Sequence, residues 1–269
     1  MFEKTLIPVA YGEKPGELRK IGRLLRSLGS ESICLFHVSD TDSFFGGSDH
    51  SWLMFLKEEL EEIGLSVEIR TGSDHIASAI AEAALMEGVD EIYLTAKRHW
   101  QIRSILLGSV SRDLLRLADT PVFVHKIRPL LPGEDEGTIT RDDLIILYAT
   151  DFDTASNRPL PYVMQFKGAW CHILHVRGRR ADPRAEERKS SRVKEKLSLL
   201  EEELRPYYGR VTSEERIGNA ANEVLFVSDQ INADVIILGR SRPAFLSSPM
   251  GNTAERIVSG SKASIFLVP

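Results

Sequence analysis

The feature that most constrains this chain is an internal repeat. Three segments of the first half recur in the same order in the second half, and each pair is separated by about 140 residues. The pairs are Leu6–Tyr11 with Leu147–Phe152, Leu35–Val38 with Ile173–Val176, and Gly108–Arg112 with Gly251–Glu255. A nearly constant offset with small insertions indicates a duplicated domain.

Within each half, apolar strand patterns alternate with helical patterns. The predicted strands are Thr5–Val9, Ser32–Val38, Ser66–Arg70, Glu91–Thr95 and Pro121–His125, then Leu144–Thr150, Trp170–Val176, Arg210–Glu215, Val235–Gly239 and Ile265–Val268. Such alternation favours parallel strands joined by right-handed crossovers. We therefore expect an α/β fold of two tandem Rossmann-like domains, each with a doubly wound, mainly parallel five-stranded sheet.

Three of the predicted helices matter below. One lies near Ala155–Phe166, and one spans Asn219–Ile231 with Asn219 as its N-cap. The third carries Val193, Leu197, Leu200 and Leu204 on one face. Its remaining charged residues, within Glu186–Glu203, are interpreted as a solvated surface, with a partner surface as the alternative.

The domain boundaries follow from a polar segment between the halves. Residues 129–141 are rich in Pro, Gly, Asp and Glu, which is typical of a solvated linker. We expect the first domain over residues 1–128 and the second over residues 142–269.

Composition excludes several classes of protein. The formal net charge is −5 and the pI is about 5.9, which argues against a general nucleic-acid binder. No apolar run approaches the roughly 20 residues that span a bilayer, and no secretory leader is evident, so we expect a cytoplasmic protein away from membranes. Cys34 and Cys171 lie in apolar strands and are expected to be buried thiols, and no metal site is expected.

A ligand in an open α/β sheet binds beyond the carboxyl ends of the strands, where the strand order reverses. In the first half, Gly108 and Ser109 open a predicted helix at this edge. Backbone N–H groups and the helix dipole there can bind an anion, although a glycine and a serine before a helix also form an ordinary turn and cap.

Several segments resemble the universal stress protein family. They are Ile105–Ser111, followed by Thr120–Val124, and Ile146–Phe152, and the resemblance spans nearly the whole chain in both halves. It implies the Rossmann-like fold expected above. It also implies pairing through the last strand, so we expect an intramolecular pseudo-dimer of the two halves, and the whole chain could form a homodimer.

The resemblance further implies an ATP site in some members, made by a Gly-x2-Gly-x9-Gly-Ser/Thr loop and an aspartate after the first strand. In the first half only Gly108 and Ser109 match. Thr95 and Arg98 replace the two earlier glycines, and Ala10 stands at the aspartate position. Side chains at such positions crowd the loop where backbone would approach phosphate.

The second half matches better. Asp151 and Gly239 are kept, Arg242 replaces the second glycine, and eight residues separate Arg242 from Gly251. The candidate nucleotide-binding residues are Ala149, Thr150, Asp151, Val176, Leu238, Gly239, Arg242, Gly251, Asn252 and Thr253, with Gly108 and Ser109 in the first half. The loop cations Lys97, Arg98, Arg103, Arg240 and Arg242 could contact phosphate or be solvated surface charges.

Asp151 has a second interpretation, because an aspartate between a strand and a helix is often a turn residue. His37 and His175 occupy equivalent strand positions and are interpreted as hydrogen-bonded strand histidines. No nucleophile elbow or recognisable carboxylate pair is present, so no catalytic residue is predicted.

The leading hypothesis is a cytoplasmic stress-response regulator that binds ATP or another adenine nucleotide, with Mg²⁺ if bound, in its second half. The alternatives are a scaffold of the same fold acting through protein partners, and a nucleotide-hydrolysing enzyme.

Overall fold

The structure is a computed structural model, and it describes residues 2–10, 13–38, 47–73, 75–97, 108–127, 141–153, 157–178, 183–240 and 252–269. As far as those residues go, the chain forms two compact units. The first comprises Met1–Thr95 and Leu107–Phe123, and the second comprises Ala96–Leu106 and Val124–Pro269.

The first half contains five strands and four helices among its described residues. They are β1 (Lys4–Pro8), α1 (Pro15–Leu28), β2 (Ser32–Val38), α2 (Gly47–Glu61), β3 (Ser66–Gly72), α3 (Ile76–Met86), β4 (Glu91–Lys97), α4 (Ser109–Leu117) and β5 (Val122–Ile127). The strand order is β3-β2-β1-β4-β5. β1 pairs in parallel with β2 and β4, and β2 with β3.

The described residues of the second half repeat the pattern. They form β6 (Ile145–Ala149), α5 (Leu160–Phe166), β7 (Trp170–Arg177), α6 (Pro183–Leu204), β8 (Arg210–Ile217), α7 (Ala220–Ile231), β9 (Val235–Gly239), α8 (Asn252–Gly260) and β10 (Ser264–Val268). The order is β10-β9-β6-β7-β8, and all four neighbouring pairs are parallel. The predicted α/β fold with parallel five-stranded sheets is confirmed.

Local sequence signals explain the ends of two helices. Asn219 caps α7, since its side chain accepts a hydrogen bond from the Asn222 amide, as predicted. Gly88 follows α3 with φ of 59°, a left-handed conformation that glycine adopts without steric cost. α5 begins at Leu160, after Pro159, and Ala155 and Ser156 of the helix predicted there lie outside the described residues.

The buried stripe of α6 was predicted correctly: Val193, Leu197, Leu200 and Leu204 are all buried. Both cysteines are buried and free. In the part of the chain that is described, no helix is long and apolar enough to cross a membrane.

In each half the strand order reverses beside the first strand, between β1 and β4 and between β6 and β9. In α/β folds, the crevice that binds ligands lies beyond the carboxyl ends of the strands at such a point.

Candidate functional site

The strand register brings the ends of β6 and β9 together. Ala149 is the register partner of Leu238 on one side and of Leu174 on the other. Thr150 and Asp151 therefore leave the sheet at the same edge as Gly239. Because α8 connects the parallel strands β9 and β10, its N-terminus also lies toward this edge.

The predicted residues of this site differ in exposure. Thr150 and Leu238 are buried, Ala149, Val176 and Gly239 are half-buried, and Asp151 and Thr253 are exposed. Asn252 is the first residue of α8. The register unites the candidates of β6 and β9, whereas Arg242 and Gly251, together with Arg98 and Arg103, lie outside the described residues.

In the first half, Gly108 is the N-cap of α4 and Ser109 is its first residue, as predicted. Gly108 has φ of −59°, and a Cβ built on it would meet no atom within 4 Å. Neither strain nor crowding demands a glycine there. Ala10 is exposed and Thr95 half-buried, so the adenine-contacting carboxylate of the resemblance has no counterpart at this strand end.

Asp151 forms a turn of its own. Its Oδ1 accepts a hydrogen bond of 3.0 Å from the Asp153 amide, and Thr150 Oγ1 accepts one of 3.1 Å from the Phe152 amide. Phe152 between them has φ of 63°. The turn interpretation of Asp151 is thus correct for one carboxylate oxygen, and its exposed side chain still lies at the crevice.

The two strand histidines make the same contact. His37 Nδ1 lies 3.0 Å from the carbonyl oxygen of Val9, and His175 Nδ1 lies 2.9 Å from that of Thr150. Both rings are buried. A carbonyl oxygen only accepts, so Nδ1 donates in both halves and carries the proton. Burial lowers the pKa of His175, against the opposing effect of its bond to Thr150.

A cavity of about 560 Å³ lies beside this turn, and sequence reasoning missed most of its lining. Its wall includes Phe152 and His175, and α6 contributes four cations, Arg188, Lys189, Arg192 and Lys196. The available signal was their spacing. Arg188, Arg192 and Lys196 recur every fourth residue, which places them along one helix face.

Part of the set predicted for nucleotide binding points away from the cavity, although Asp151 lines it. Register partners in parallel strands point to one face, so Ala149, Leu174 and Leu238 share a face. Val176, two residues beyond Leu174, points the same way. His175, which lies between these two β7 residues and lines the cavity, points to the other face.

Buried polar contacts fix α6 against the sheet at the cavity. Glu215 of β8 accepts a hydrogen bond from Arg177 Nε of β7, and its Oε2 accepts one of 2.7 Å from Ser190 Oγ of α6. The side chains of Arg177 and Glu215 are 4% and 10% exposed. Such charge-assisted bonds hold the first half of α6 in one position.

Arg240 is buried and so is not a solvated surface charge. Its amide donates a hydrogen bond of 2.6 Å to the Val268 carbonyl. Lys97 ends β4, and its side chain lies outside what the structure describes. Within the described residues, no group of three His, Cys, Asp or Glu side chains is placed to hold a metal ion.

Comparison with known proteins identifies relatives of both halves. The family model described as Universal stress protein family matches residues 18–126 and 144–269. The chain is 27% identical over 157 residues to universal stress protein MJ0577 of Methanocaldococcus jannaschii, an alignment that covers 47% of this chain and 96% of that protein.

Solved structures share the fold across the whole chain. A universal stress protein from Archaeoglobus fulgidus DSM 4304 superposes with a TM-score of 0.74 at 21% identity, over 100% of this chain and 98% of the other. A functionally unknown protein from Pseudomonas aeruginosa PAO1 gives 0.73 at 18% identity, over 99% and 92%. At these identities the likeness concerns the fold alone.

Proposed function

Because the chain belongs to the universal stress protein family, we propose that it is a regulatory protein that acts by binding an adenine nucleotide in its second half. It acts through the bound state and not by turning over a substrate. Its cytoplasmic location, its protein partners and the pairing of its halves stay predictions.

One observation carries the proposal. The register of β6 against β9 sets the strand end bearing Asp151 beside the strand end bearing Gly239, at the point where the strand order reverses. Open α/β sheets bind nucleotides at such a point. The two residues of the second half that match the family's ATP pattern are thus neighbours across one crevice, and the N-terminus of α8 lies toward the same edge.

The first half offers a weaker site for the same ligand. It keeps Gly108 and Ser109 at the start of α4, where phosphate oxygens can accept backbone hydrogen bonds. Ala10 provides no carboxylate for the adenine, and Thr95 replaces a glycine. We therefore propose one nucleotide per chain, with Mg²⁺ on its phosphates.

A scaffold that binds only protein partners is the second candidate. It is favoured by the engagement of Asp151 Oδ1 with the Asp153 amide, since a carboxylate that closes its own turn has fewer lone pairs for a base. The two candidates differ in one measurable property, which is whether free ATP lowers the free energy of the folded protein.

Isothermal titration of the full chain with ATP and Mg²⁺ tests the proposal. Asp151→Ala should weaken binding about tenfold or more, since one hydrogen bond to a charged group is lost. Asp151→Asn, which retains the acceptor that closes the turn, separates loss of charge from loss of the turn. Asp142→Ala is the matched control, because Asp142 precedes the opposite end of the same strand and is 85% exposed. Absence of any heat or thermal shift with wild-type protein would leave the scaffold as the function.

A further inference from the structure

Among its described lining residues, the cavity between the turn after β6 and helix α6 has an excess of positive charge. Four cations from α6 line it, and Asp151 is its one carboxylate among the described lining residues. Lys189 is half-buried, while Arg192 and Lys196 are exposed. A concave surface lined by one sign of charge concentrates ligands of the opposite sign.

Two carboxylates at or near the cavity already accept hydrogen bonds. Glu215 accepts hydrogen bonds from Arg177 and from Ser190. Asp151 accepts one from the Asp153 amide. Acidic groups bound in this way are held in place by other partners.

His175 supplies a second, independent observation. The residue is 4% exposed and lines the cavity, and its Nε2 is buried without a hydrogen-bond partner among the described residues. Since Nδ1 donates to the Thr150 carbonyl, Nε2 of the neutral ring is a bare acceptor. A buried polar atom normally has a partner, and a protonated phosphate oxygen would provide one.

The aromatic wall of the cavity does not suit a nucleobase. One face of the Phe152 ring packs on His175, with centroids 4.9 Å apart and 28° between planes. Lys196 Nζ lies 5.1 Å from the centroid of the same ring. Both contacts occupy the faces of the Phe152 ring on which a base would stack. The cavity therefore suits the anionic part of a ligand.

The first half provides an internal comparison. There the histidine that corresponds to His175, His37, makes an edge contact with Trp52 of α2, with centroids 5.9 Å apart. An indole stands near His37, whereas cations and a cavity stand near His175. Among the described residues, the two halves therefore differ in what lies beside this histidine.

We propose that this cavity is an anion site that holds the phosphate group of a small molecule through Arg188, Lys189, Arg192 and Lys196. The site shares Asp151 with the proposed nucleotide crevice but uses neither Gly239 nor the start of α8. Its ligand is either a free phosphate compound or the phosphate chain of a nucleotide.

Inorganic pyrophosphate is the probe, titrated into the full chain at low salt and followed by calorimetry. Binding should occur and should weaken with added salt. Arg192→Gln/Lys196→Gln should lower the affinity by roughly tenfold for each cation removed. The charge-preserving pair Arg192→Lys/Lys196→Arg should retain binding. These side chains are exposed, so the substitutions leave the core of α6 intact.

The matched control is Lys194→Gln/Arg205→Gln, which removes one lysine and one arginine from exposed positions that do not line the cavity. Its affinity for pyrophosphate should equal that of the wild type. Equal weakening in both double variants would mean diffuse attraction to a basic surface and would overturn the site, as would the absence of any pyrophosphate binding.

Further arms separate this site from the nucleotide crevice. Asp151→Asn removes the one acidic charge of the lining, so it should strengthen pyrophosphate binding a few-fold while ATP binding in the crevice weakens. If Asp151→Ala lowers the ATP affinity while the α6 pair changes neither ATP binding nor pyrophosphate binding, the anion site is overturned and the nucleotide proposal stands. Pyrophosphate binding that depends on the α6 cations, together with no response to ATP or adenosine, would support the anion site and overturn the nucleotide proposal. If ATP binds through the same cations more tightly than pyrophosphate, the phosphate belongs to a nucleotide, and equal affinities identify the free anion.

Discussion

The ring of Phe152 stacks on the ring of His175 and joins the turn after β6 to strand β7. This contact comes with a local cost, because Phe152 has φ of 63°, where a bulky side chain crowds its own carbonyl. Such a conformation costs about 1–2 kcal/mol. The stack and the hydrogen bond from the Phe152 amide to Thr150 Oγ1 offset it.

The strain at Phe152 predicts that a glycine variant is more stable than an alanine variant, which is the reverse of the order within a helix. Phe152→Gly and Phe152→Ala both remove the ring, but only glycine tolerates the left-handed backbone. Phe152→Gly should therefore be more stable than Phe152→Ala by about 1 kcal/mol, measured by urea unfolding. At Glu195, an exposed position within α6, alanine should be the more stable by a similar amount. If alanine were the more stable residue at both positions, backbone strain at Phe152 would be contradicted.

His175 should contribute to loss of stability in acid. Burial lowers its pKa below the ordinary value of 6.5, so as the pH falls through that value the unfolded chain takes up a proton before the folded chain does. The free energy of unfolding should decline between pH 7.5 and 5, and less steeply in His175→Gln. His172, whose pKa burial also lowers, supplies part of the remaining decline. His75→Gln, at an exposed histidine, should leave the slope unchanged.

Glu91 should have the opposite pH dependence. It is fully buried at the start of β4, where Thr5 Oγ1 donates to its Oε1 over 3.1 Å, and burial raises its pKa to about 8. The folded protein holds this proton up to about pH 8, whereas the unfolded chain loses it near 4.5. Its contribution to stability is therefore present below 4.5 and is lost as the pH rises through 8.

The test of Glu91 is a pair of glutamine variants. Glu91→Gln should flatten the decline between pH 5 and 9 and should exceed wild-type stability at pH 9 by about 1 kcal/mol or more. Glu58→Gln, at an exposed site of α2, should follow the wild-type curve. A Glu91→Gln curve parallel to the wild type would show that this carboxyl stays ionised in the fold.

Two adjacent serines of α6 test the contact that fixes this helix. Ser190 Oγ donates to Glu215 across the helix–sheet interface, whereas Ser191 Oγ donates to the Glu187 carbonyl within α6. Ser190→Ala should cost about 1–2 kcal/mol of unfolding free energy, because the bond is to a buried carboxylate. Ser191→Ala should change stability by less than about 0.5 kcal/mol. Both variants gain the same helix propensity, which cancels in the comparison.

Local pattern was enough to predict the fold. The repeat, the alternation of strands and helices, the Asn219 cap and the buried stripe of α6 all depend on residues near in sequence, and hydrophobic periodicity reports these directly.

The candidate site was only partly predictable. Asp151 and Gly239 are predicted from their match to the ATP pattern of the resembling family, and the strand order then sets the ends of β6 and β9 side by side. The sequence analysis interprets the α6 cations as a solvated surface, because the pattern of charges along a helix does not indicate which part of the protein they face. Their position over the end of β7 depends on the packing of α6 through Ser190 and Glu215, which sequence spacing alone does not encode.

The shared bond from His37 to Val9 and from His175 to Thr150 has a consequence for how such a chain can change. This buried hydrogen bond joins the first two strands of each half, and a bound ligand does not need to contact its atoms. Residues of the overlying helix can then be substituted while the strand ends stay aligned. The helix carries Trp52 at this place in one half and Lys196 in the other. One half can therefore change the side chains above its strand ends while the other half keeps its own.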